Sequence, residues 1–153
     1  MRDFIKARSL DIAIGVIFVA VFVALIGFRG DVLFVGLWYY LAVIGGTFFT
    51  ALLVNPRPRF AGGAVLAAGL SLLFYVRANW HPVHTSDLLA LGHLFSLPGA
   101  AVGVLVFGIV SRLCSWRRES WLFCGGLLGF LLGFAVGQVY ICSTALSCDV
   151  LLN

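Results

Sequence analysis

Apolar residues run almost without interruption through five stretches of this chain, at residues 10–28, 33–54, 61–76, 95–113 and 121–141. Polar and charged residues collect in the short segments between them. About twenty apolar residues in helical form are needed to cross hydrocarbon, and only closed secondary structure satisfies the backbone there. The pattern therefore predicts an all-α, polytopic integral membrane bundle: a single membrane domain, residues 1–153, with five transmembrane helices. A four-span arrangement merges the short third run with its neighbour or lays the fourth on the surface, and it strands residues 112–118 on the wrong side. Five is the reading adopted.

Turn chemistry marks the boundaries. The first run stops at Arg29-Gly30-Asp31, and the second places Trp38, Tyr39 and Tyr40 near its start, as interfacial aromatics are placed. The second run ends at Asn55-Pro56-Arg57-Pro58-Arg59, where two prolines forbid continuation. The third run is rich in Gly and Ala. Residues 77–94 form the longest break and are read as an outer loop whose second half lies along the membrane surface, with Pro98 opening the next span.

Charge then orients the bundle. Of the ten basic residues, Arg2, Lys6, Arg8, Arg57, Arg59, Arg112, Arg117 and Arg118 fall on the side of the N-terminus, against Arg29 and Arg77 on the other. Eight against two is a positive-inside signal, so a cytoplasmic N-terminus is expected, with the first eight residues a retained tail. The overall composition, 62% hydrophobic and 10% charged against roughly 25% charged in soluble domains, agrees with a multi-pass protein of a bacterial inner membrane. The net charge of +4 is explained by topology and contact with membrane lipid, and no direct nucleic-acid binding is expected.

The most specific pattern is a glycine at every fourth position of the last span: Gly125, Gly129, Gly133 and Gly137. Helices gain no hydrophobic energy by meeting in lipid, so such a row, a glycine zipper, marks a face where backbones approach closely. Two partners are equally compatible with it: another copy of the chain, in a homo-oligomer, or a helix of the same bundle, such as the small face of the third run or Gly99 and Gly103 of the fourth. Gln138 follows the row and either bridges subunits or satisfies a neighbouring carbonyl.

Candidate chemistry is sparse. His81, His84, Asp87 and His93 gather in the outer loop and suggest a weak sensing role, since imidazole titrates near physiological pH. Pro82 breaks the helical spacing that metal ligation would need, and neither a metal nor another cofactor is expected. Cys142 and Cys148, on the outer side, can close a disulfide across five residues, whereas Cys114 and Cys124 flank a cytoplasmic turn. Asp11 lies at the inner end of the first span, within reach of Arg8 or Arg112. Hydrolase elbows and phosphate-binding glycine loops are missing from the sequence.

These features predict a non-enzymatic inner-membrane protein that self-associates through small-residue faces. It would serve as the embedded subunit of a larger system of the sensor, immunity or phage-defence type. The basic turns, with Arg57, Arg59, Arg112, Arg117 and Arg118, would contact a cytoplasmic effector. Two other readings are an oligomeric channel with an apolar, dewetting wall and an outer-face membrane enzyme using His84, Asp87 or His93.

Overall fold

A computed structural model describes residues 2–80, 88–114 and 118–144. It contains six helices and, among the described residues, no strand: α1 (Arg2–Ala7), α2 (Ser9–Arg29), α3 (Leu37–Val54), α4 (Phe60–Ala78), α5 (Leu88–Leu113) and α6 (Glu119–Thr144). Helices α2 to α6 are each long and apolar enough to cross a bilayer, which is the pattern of a multi-pass membrane protein. Helices α2 to α6 alternate in direction. One end of the bundle, the basic end, gathers the starts of α2, α4 and α6 with the finishes of α3 and α5. The opposite end carries the reverse set.

Helix α4 is the centre. Of its span, 72% is buried, against 17% to 28% for the other four. Small side chains make this possible: Ala61, Ala64, Ala67 and Ala68 are fully enclosed, and Gly62, Gly63 and Gly69 are buried beside them. A residue without a Cβ lets a neighbouring backbone lie almost against the helix axis, which a Leu-rich helix cannot do. Helices α2, α3 and α6 pack around α4, and the most extensive pairing of all is α5 against α6.

The helix limits differ from the sequence reading at one important place. The loop expected over residues 77–94 is shorter than that. Helix α4 runs to Ala78, and α5 begins at Leu88, so that His93 is its sixth residue and Pro98 lies inside it. Proline at that point withdraws one donor from the Leu94 carbonyl, but the helix continues because packing against α6 holds both halves. The expected N-terminal tail is likewise helical as α1, and Arg8 beyond it is buried at 3% exposure rather than solvated.

Candidate functional site

The glycine row of α6 meets α5 of the same chain. A Cβ at Gly99 would fall 2.5 Å from the Gly133 carbonyl oxygen and 3.0 Å from the Gly137 Cα. One at Gly103 would collide with the Gly129 carbonyl oxygen, and one at Gly133 with that of Gly99. Helix α6 has a second close face. Gly126 lies against the Phe60 carbonyl of α4, and Gly63 of α4 against the Phe123 carbonyl. Gly125 is also buried. Of the two partners compatible with the row, the helix within the bundle fills this face. Gly126 and Gly63 lie outside the four-residue register that drew attention to the row.

Beyond the last glycine contact, toward the opposite end, the bundle encloses a polar cluster. His93 is fully buried, with Nδ1 2.6 Å from the Tyr39 hydroxyl of α3 and Nε2 3.1 Å from Ser71 Oγ of α4. One assignment of the tautomer satisfies every donor of the set. Ser71 has one hydroxyl proton and donates it to the Ala68 carbonyl at 2.8 Å, so its oxygen receives Nε2–H, and Nδ1 accepts the Tyr39 proton. A neutral imidazole is thereby satisfied at both nitrogens. The rings of Tyr39, Tyr75 and Phe134 surround it, with centroids 5.8, 5.0 and 5.1 Å away.

Gln138 completes the cluster from α6. Its Oε1 accepts the Tyr75 hydroxyl at 2.7 Å and lies 2.6 Å from Ser96 Oγ, whose single proton is shared in reach with the Gly92 carbonyl at 2.8 Å. Helical spacing delivers the groups: Ser71 and Tyr75 are one turn apart on α4, as are His93 and Ser96 on α5. Sequence reasoning assigned His93 to the outer loop, and the structure corrects this: it is an interior side chain that ties α3, α4 and α5 together. Tyr39, Ser71, Tyr75 and Ser96 carried a signal of their own, being polar groups inside apolar runs at helical spacing. His81, His84 and Asp87 lie outside the described residues.

The basic end is held by a second set of polar contacts. Asp11 of α2, fully buried, accepts the Arg59 backbone N–H at 3.0 Å and so caps the start of α4 from another helix. Its other oxygen approaches Gly62, where a side chain would not fit. Arg8 donates to the Pro56 carbonyl, Asn55 Nδ2 donates to Ser111 Oγ at 2.7 Å, and the Arg57 N–H closes a turn on Asn55 Oδ1 at 3.1 Å. Arg59 itself adopts a left-handed backbone, φ 78°, and pairs with Glu119 at 3.0 Å. Arg112 donates to the Val54 carbonyl at 3.2 Å. Three of the five arginines assigned to an effector, Arg57, Arg59 and Arg112, thus make contacts within the chain. Arg118 is exposed, and Arg117 lies outside the described residues.

At the opposite end, Asp31 accepts the Tyr40 hydroxyl at 3.1 Å and the N–H groups of Leu33 and Gly36, which shapes the turn between α2 and α3. Cys142 lies in the last described turns of α6; Cys148, and with it the expected disulfide, lies outside the described residues. Cys114 and Cys124 are exposed free thiols. No protein-family model, curated protein or solved structure matches this chain.

Proposed function

We propose that this chain is a non-enzymatic subunit of a bacterial inner membrane that associates with further copies of itself through a small-residue groove between α3 and α5. It would sit with its basic end in the cytoplasm. Support for the orientation is the division of basic residues, eight against two, between the two ends.

The observation that carries self-association is the groove itself. Ala42, Gly46 and Thr50 stand one turn apart on α3, and with Leu97 and Ala101 of α5 they line an outward-facing depression of about 150 Å³. Ala42 and Gly46 are exposed, and a Cβ at Gly46 would meet nothing within 4 Å. The α6 row is filled by α5, whereas this face keeps a similar four-residue spacing with none of the described residues in it. Small side chains that do not serve the fold are the means by which a lipid-facing helix receives another helix.

The test is Gly46→Leu, measured by light scattering of the detergent-solubilised protein alongside its circular dichroism. The expected result is an oligomer in the parent chain and a smaller mass in the variant at unchanged helix content. A monomeric parent, or a variant that keeps the parent's mass, would refute the reading.

A further inference from the structure

Helices α2 and α6 both rest on α4 at the basic end but barely meet each other, and the gap between them is a cleft of about 830 Å³. Its walls are of two kinds. Leu10 and Ile14 of α2 and Phe123 of α6 supply an apolar floor, while Arg59, Arg118 and Ser120 with Glu119 form the rim. The volume falls within the range of sites that enclose small molecules, roughly 300 to 1,000 Å³.

Charge selects the occupant. The rim carries two guanidinium groups against one carboxylate, and the Arg59–Glu119 pair is a partly solvated one, with the glutamate side chain 63% exposed. Helix α6 also begins here, at Glu119, so the N–H groups of its first turn precede any intrahelical acceptor. A positive rim above an aliphatic floor, at the level where helices leave hydrocarbon, matches a negatively charged headgroup joined to an acyl chain. Basic recesses between transmembrane helices hold anionic lipid in this way. We infer that the α2–α6 cleft binds one anionic phospholipid, with its phosphate at Arg118 and the start of α6 and one chain lying over Leu10, Ile14 and Phe123. This site stands independently of the α3–α5 groove.

Two native thiols report on it. Cys124 lines the cleft, and Cys114, exposed at the same end, does not. Any general effect of a charged membrane surface on thiol reactivity acts on both, so the ratio of their maleimide labelling rates, resolved by peptide mass mapping, reads the cleft alone. In nanodiscs of phosphatidylcholine, adding phosphatidylglycerol is expected to lower the Cys124-to-Cys114 ratio several-fold, and Arg118→Gln is expected to abolish that change. Arg118 is exposed, so the fold does not depend on it. An unchanged ratio with phosphatidylglycerol, or protection that survives Arg118→Gln, overturns the inference. Equal protection by inorganic phosphate in pure phosphatidylcholine also overturns it, by making the rim a free-anion site. Protection that grows with the number of chains per disc overturns it in favour of a second copy as the occupant.

Discussion

Three consecutive aromatics on α3 show what decides the fate of a single residue here. Trp38 is 82% exposed, as an interfacial ring should be, but Tyr39 and Tyr40 turn inward because each hydroxyl finds an acceptor, His93 for one and Asp31 for the other. In a membrane interior a polar group without a partner is costly, so the available partner, not the ring, sets the direction. Tyr39→Phe leaves the His93 Nδ1 lone pair without a donor and is expected to destabilise by about 1 kcal/mol, read as a lower melting temperature in detergent. Adding His93→Leu to that variant should cost less than the sum of the two single changes, because both ends of the bond are then gone; strict additivity would show that the pair does not interact. The sequence displays every member of this cluster as an isolated polar letter. Which letters meet depends on how α3, α4, α5 and α6 rotate against one another, and no local pattern encodes that.

Among elements, the same contrast appears between a face and its neighbour. The four-residue spacing on α6 predicts close approach, and Gly99 and Gly103 are visible as complementary steps on α5. Spacing alone left the choice between this helix and another chain open, because either surface would accept it. The start of α5 was hidden for a different reason: His93 looks like the content of a loop and Pro98 like the opening of a span, until Tyr39 and Ser71 give the imidazole buried partners and packing against α6 supports the helix through the proline. Gly133→Ala places a methyl where the Gly99 carbonyl lies and is expected to cost about 1 to 3 kcal/mol of overpacking. Gly27→Ala, in the exterior of α2 with nothing within 4 Å, should be neutral or stabilising by up to about 1 kcal/mol through helix propensity. Parallel thermal melts separate them, and equal behaviour of the two variants would show that the α5–α6 approach is loose.

For the whole molecule, the number of spans and most of their limits, the start of α5 excepted, were legible because bilayer thickness imposes a similar length on every helix. The central position of α4 was less so, since enclosure in a bundle depends on small residues more than on apolar ones. The orientation proposed here predicts that a membrane-impermeant maleimide labels Cys114 in inverted inner-membrane vesicles and not in right-side-out ones; the opposite result would reverse the bundle. Helix α4 is the least apolar of the five spans and also the most enclosed. A ribosome completes it before α5 and α6 exist, so the segment destined for the middle enters the membrane with Phe60 and Gly63 still lacking the backbone they will finally lie against. Maturation of the bundle therefore waits on α6, and a chain halted before Glu119 would carry an unfinished axle, open to acyl chains and to quality-control proteases.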